Sequence, residues 1–123
     1  MKNILLVFLG GGIGSGLRYF VSKYLNQIEN SIALGTFTVN ILGSLIIGII
    51  MGFVFKNDSP SSELSLLIAT GFCGGFTTFS AFALENYQFL KSGDLTNFFL
   101  YTIGSLLLSI CAIFLGIWLV KSS

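Results

Sequence analysis

Charge is what this sequence has least of. Lysine, arginine, aspartate and glutamate make up 9% of its 123 residues, against roughly a quarter in ordinary soluble domains. So little charge cannot cover a water-facing surface, which excludes a soluble globular domain and implies an integral membrane protein. Histidine is absent, which removes the commonest metal ligand and the usual proton relay near neutral pH. No nucleophile can be paired with a base, so an enzyme is not expected. A net charge of +1 offers no electrostatic footprint for nucleic acid. The two cysteines, Cys73 and Cys111, lie in apolar runs with no partner at metal-ligand spacing, and both are expected to be small buried hydrophobes.

What is present is apolar length. With charged residues as punctuation and about 20 mostly apolar residues required per span, four spans emerge at 4–25, 32–55, 64–90 and 95–120. Polar connections at 26–31, 56–63 and 91–94 join them, the second holding the sole proline, Pro60. This predicts one domain, 1–123, of all-α integral membrane class, bathed in membrane lipid. Lys2 followed by apolar residues could pass for a signal peptide with Gly14-Ser15-Gly16 as its exit, but no A-x-A-like site follows. Apolar character resumes at Tyr19-Phe20-Val21, so a retained first helix is expected.

An even number of spans puts both termini on one side. Lys2, Lys56 and Lys121 then face Arg18, Lys23 and Lys91 across the membrane, three against three. Orientation normally follows an excess of basic residues on the cytoplasmic side. A tie gives no reason to choose, and so permits insertion both ways and an antiparallel, dual-topology homodimer.

The spans carry small and polar residues in patterns. In the first, Gly10 and Gly14, and Gly12 and Gly16, have the four-residue spacing that lets helices approach closely; Arg18 either snorkels to the interface or belongs to a charged vestibule. In the second, Thr36, Asn40, Gly43 and Ser44 form one stripe. A buried amide must find a partner helix, a backbone break or a water-filled path, which singles out Asn40. Tyr101, Ser105 and Ser109 make a second stripe on the last span, suited either to packing or to a lined path.

The third span reads GFCGGFTTFSAF from Gly71 to Phe82. Paired glycines and paired β-branched threonines are poor helix formers, so a break at mid-membrane is predicted. Two half-helices would then meet there, with carbonyls of the first able to hold a cation and donors opening the second favouring an anion. Phe79 and Phe82 share a face just beyond. The positive edges of their rings suit an anion better than a cation, whereas Phe76 is expected only to pack. Glu85 stands near the end of the span with no evident partner.

Three motifs, GGIGSGLRY at 11–19, GTFTVNILG at 35–43 and GGFTTFSAF at 74–82, resemble those of the CrcB/Fluc fluoride channels. The resemblance covers nearly the whole chain. It implies a dual-topology homodimer that conducts fluoride passively out of the cytoplasm through two antiparallel pores in the plasma membrane, lowering fluoride toxicity. It further implies a central sodium ion held by the Gly74 and Thr77 carbonyls, a fluoride path along Asn40, Phe79 and Phe82 with Thr78 and Ser80 adding hydroxyls, and a polar track of Tyr101, Ser105 and Ser109. Arg18 and Glu85 fall at positions of a vestibule. Ala81 departs from the threonine often found there, which removes a hydroxyl. The competing reading is a small four-helix multidrug exporter, which would want a carboxylate well inside the membrane. A structural subunit that only packs against partners would explain the glycines but not the aligned polar groups.

Overall fold

The computed structural model describes residues 1–28, 34–56 and 61–122. No strand occurs among them. Four segments are long and apolar enough to cross a membrane, Lys2–Leu25, Leu34–Phe55, Ser62–Ser92 and Leu95–Lys121, so the chain is an all-helical, multi-pass membrane protein. The first helix continues to Ile28, three residues past the boundary expected from the sequence. The expected polar residues at 29–31, the start of the second span at 32–33 and residues 57–60, Pro60 among them, lie outside the described residues.

The connection at 91–94 shows how local chemistry ends one helix and starts the next. Gly93 takes a left-handed conformation, φ 79°, which a side chain would resist. Its N–H and that of Asp94 donate back to the carbonyls of Leu90 and Phe89. The Asp94 carboxylate then accepts from the Asn97 backbone N–H at 3.3 Å, capping the last helix, Leu95–Lys121.

The helices associate through backbone rather than large side chains. The second and last helices, Leu34–Phe55 and Leu95–Lys121, run together so closely that a Cβ on Gly48 would lie 2.4 Å from the Ile113 carbonyl oxygen, and one on Gly116 would lie 2.6 Å from that of Leu45. Against the first helix lies the opening half of the third span. There a Cβ on Gly10 would meet the Leu67 carbonyl oxygen, and one on Gly14 that of Phe72, each at 2.2 Å. Gly12 and Gly16, expected to share this packing, instead meet nothing within 4 Å. Two residues along an α-helix is about 200° of rotation, so the two glycine pairs occupy opposite faces.

The third span is not uniform. A turn at Ser62–Ser65, started by Ser61, widens into π-helical winding over Leu66–Cys73 and closes with Gly74–Phe76. Thr77 and Thr78 are extended, and helical geometry resumes over Phe79–Ser92. Of the two cysteines, Cys73 is fully buried, as expected, but Cys111 is exposed. In a membrane protein lipid is as apolar as the interior, so hydrophobicity cannot say which way Cys111 faces.

Candidate functional site

The interruption at residues 77–78 is the centre of the site. The last helical bond of the first half runs from the Thr77 N–H to the Cys73 carbonyl at 2.9 Å, and the Thr77 hydroxyl donates to the same oxygen at 2.8 Å. Thr77 and Thr78 then turn extended, with ψ of 160° and 123°, a conformation their branched side chains favour. The Thr78 hydroxyl accepts from the Ala81 N–H at 3.2 Å and caps the second half. Ser80 Oγ stands 3.4 Å from that hydroxyl.

The interruption leaves backbone groups that the helix no longer pairs, and side chains of the first two helices supply partners to the turn before it and to the extended residues themselves. The Thr78 N–H donates to Asn40 Oδ1 at 2.8 Å, while Asn40 Nδ2 donates to the Thr78 carbonyl at 3.1 Å. Because a backbone N–H only donates and a carbonyl only accepts, this pairing fixes the orientation of the amide. Gly43 lets the second helix come this close: a Cβ there would lie 2.2 Å from Thr77 Cγ2. On the other side of the interruption Arg18 Nε donates to the Gly75 carbonyl at 2.9 Å, with Ser15 Oγ at 3.4 Å from the same oxygen. Arg18 thus directs its Nε inward to backbone.

A cleft of about 260 Å³ opens beside the interruption. Asn40 and Ser44 of the second helix, Thr77, Thr78, Phe79 and Phe82 of the third span, and Ser105 and Ser109 of the last helix line it, with Ile47 and Leu106. The structure thus brings together most of the residues expected along a path. Ser44 spends its hydroxyl on the Asn40 carbonyl at 2.7 Å. Ser105 does not: its Oγ is buried without a hydrogen-bond partner among the described residues. The Phe79 and Phe82 rings stand 5.8 Å apart, tilted by 43°. Phe79 is 78% exposed, whereas Phe76 is buried and stacked on Phe72, in keeping with a packing role.

Tyr101 lies behind this lining. Its ring leans on Phe82 at 5.1 Å, and its hydroxyl donates to Glu85 Oε1 at 2.7 Å. Thr36 Oγ1 donates to Glu85 Oε2 at 2.9 Å. Glu85, which showed no evident partner in the sequence, is thus buried with both oxygens engaged. A parallel link, Thr102 Oγ1 to Asn86 Oδ1 at 3.1 Å, ties the same two helices and escaped sequence reasoning, because no local pattern relates positions 86 and 102. Gly74 is exposed and faces open space.

Chemically, the cleft offers uncharged donors and ring edges, and no acid lines it. Among the described residues no group of three or more His, Cys, Asp or Glu could hold a metal. That composition suits a small anion that must exchange water for hydrogen-bond donors.

Comparison with known proteins points the same way. The pattern of the family described as "CrcB-like protein, Camphor Resistance (CrcB)" matches residues 5–117. A protein of Gloeothece citriformis named fluoride-specific ion channel FluC is 52% identical over 122 residues, covering 98% of each chain. Proteins with the same name in Phocaeicola vulgatus and Pyrococcus abyssi are 45% and 36% identical, the first over 97% of this chain and 98% of its own, the second over 98% of each.

Proposed function

Because the chain belongs to the CrcB family, we propose that it is a passive fluoride channel that lets fluoride leave the cytoplasm and so lowers its toxicity. In a bacterial cell its four spans lie in the plasma membrane. The observation that carries the reading is the cleft itself: donors and ring edges gathered at the interruption of the third span, in a chain whose relatives are named fluoride channels.

Fluoride is compact and strongly hydrated, so each step of its path must replace water with donors. Asn40 Nδ2 carries two hydrogens and gives one to Thr78, leaving the other for an ion on the cleft side. Ser105, which lines the cleft from the last helix, brings a further hydroxyl to it. Ser109 extends the donors along the last helix, with Tyr101 behind them. The edges of Phe79 and Phe82 supply a weakly positive lining without fixed charge.

The same reading takes the interruption as a break of the third span at mid-membrane, and the functional unit as an antiparallel homodimer. The three-to-three balance of basic residues supports insertion in both orientations. A sodium ion fits the carbonyls at the break. In a continuous helix Gly74 C=O would take the Thr78 N–H and Thr77 C=O the Ala81 N–H, but those donors go to Asn40 and to the Thr78 hydroxyl. Gly74 and Thr77 thus offer the hard oxygen donors that a small monovalent cation takes, and a second copy would double their number. When bound, the ion would supply a fixed positive charge tying the two breaks together. Glu85 and Arg18 would border the vestibules, both already committed to protein partners.

A multidrug exporter is not favoured, since the buried acid it would use, Glu85, has both oxygens held by Thr36 and Tyr101. The test is fluoride efflux from liposomes containing the purified protein alone. Chloride-loaded vesicles serve as the comparison. No efflux of fluoride above protein-free vesicles would reject the channel reading.

A further inference from the structure

The first helix presents Gly11, Ser15 and Arg18 on one face, at the i, i+4, i+7 spacing of an α-helix, and all three converge on one residue, Gly75. A Cβ on Gly75 would lie 2.4 Å from the Gly11 carbonyl oxygen, so no side chain at position 75 could anchor this turn. The anchor comes from outside instead. Arg18 Nε donates to the Gly75 carbonyl at 2.9 Å and Ser15 Oγ approaches the same oxygen at 3.4 Å. Three residues on, Asn40 holds both backbone groups of Thr78. The interruption is therefore gripped from the first helix on one side and from the second on the other, with Phe76 and extended Thr77 between the grips.

We propose that Arg18 is a positioning residue for conduction: its bond to the Gly75 carbonyl fixes the direction in which the chain leaves the first half of the third span, and so sets where Phe79 and Phe82 stand against Asn40 and Ser105. The inference rests on the channel reading for its functional consequence, but the clamp itself is a property of the fold. Arginine suits the task because its guanidinium is permanently charged and planar, and a charge-assisted bond to a carbonyl holds direction better than a hydroxyl does. The role differs from that of a charge at the mouth, which would draw fluoride in without touching the geometry of the lining.

Arg18→Met and Arg18→Lys separate these roles when purified protein is read in two ways. Hydrogen exchange needs no conduction: Arg18→Met should speed amide exchange over residues 76–81 by about tenfold while leaving the middle of the second helix unchanged. In liposomes, the maximal fluoride rate and the fluoride-to-chloride ratio should each fall about tenfold, with the half-saturating fluoride concentration unmoved. Arg18→Lys, which keeps a donor without the planar fork, should recover part of both.

Because Arg18→Met could fail to assemble, Ser15→Ala provides an independent arm. Alone it should lower flux by about twofold, but in the Arg18→Lys background by about fivefold, since both donors serve one carbonyl and their losses are not additive. Three results would overturn the proposal: unchanged exchange at 76–81, a raised half-saturating concentration with rate and selectivity intact, or strictly additive losses. If the wild-type protein fails to conduct fluoride, the channel reading falls, and the exchange experiment still decides whether the clamp exists.

Discussion

Asn40 and Thr78, 38 positions apart, are joined by two hydrogen bonds of opposite sense, so that one side-chain amide stands in for a missing stretch of peptide backbone. Replacing Asn40 with Asp keeps an acceptor for the Thr78 N–H but sets a carboxylate oxygen against the Thr78 carbonyl and a negative charge beside the path. Like charges a few Å apart repel by about 4 kcal/mol at an effective dielectric near 20. Fluoride flux in liposomes should therefore fall on the order of 100-fold or more, while size-exclusion chromatography still shows the assembled protein. Asn40→Ser, a smaller donor, should be milder. Normal flux through the Asp variant would remove Asn40 from the path.

Phe82 and Phe76 have the same chemistry in different surroundings. Phe82 lines the cleft and leans on Tyr101; Phe76 is 6% exposed and stacked on Phe72. Phe82→Ile keeps apolar bulk but removes the electropositive ring edge, and should cut fluoride flux about tenfold or more while shifting thermal unfolding little. Phe76→Ile should do the reverse, lowering stability by about 1–2 kcal/mol with flux retained. Equal loss of stability and unaltered flux in both variants would mean that both rings only pack.

The glycines of the last helix are not equivalent. Gly116→Ala would push a methyl to 2.6 Å from the Leu45 carbonyl oxygen, whereas at Gly104 the nearest neighbour is a Phe37 ring carbon at 4.0 Å. Thermal unfolding in detergent should show Gly116→Ala destabilised by about 1–3 kcal/mol, the usual cost of overpacking. Gly104→Ala should be neutral or gain up to about 1 kcal/mol from helix propensity. A stable Gly116→Ala protein would contradict the close approach of the second and last helices.

The balance of basic residues makes orientation adjustable. Two lysines added within 56–63 should bias insertion toward termini inside, and two added within 26–31 should bias it the other way. Each variant alone should fail to export fluoride, and co-expression should restore export, with topology read by labelling the connections. Full activity from one singly oriented variant would exclude the antiparallel pair and the shared cation site.

The sequence by itself determined the membrane class, the four spans and the weakness at 77–78. Those follow from one-dimensional properties: length of apolar runs, scarcity of charge, and the poor helix propensity of Gly74-Gly75 followed by Thr77-Thr78. It also isolated Asn40, because an amide in an apolar span must find a partner. Only the tertiary structure decided which partners were found. That Asn40 pairs with Thr78, that Arg18 turns inward to Gly75, and that Glu85 is held by Thr36 and Tyr101 all depend on how separate helices are rotated against each other. The same rotation sends Gly12 and Gly16 outward and leaves Cys111 exposed. In a soluble protein apolar periodicity would announce such a rotation, since one face must meet water. Here every face meets something apolar, so the sequence pattern carries little of that information, and backbone approach at Gly10, Gly14, Gly48 and Gly116 fixes it instead.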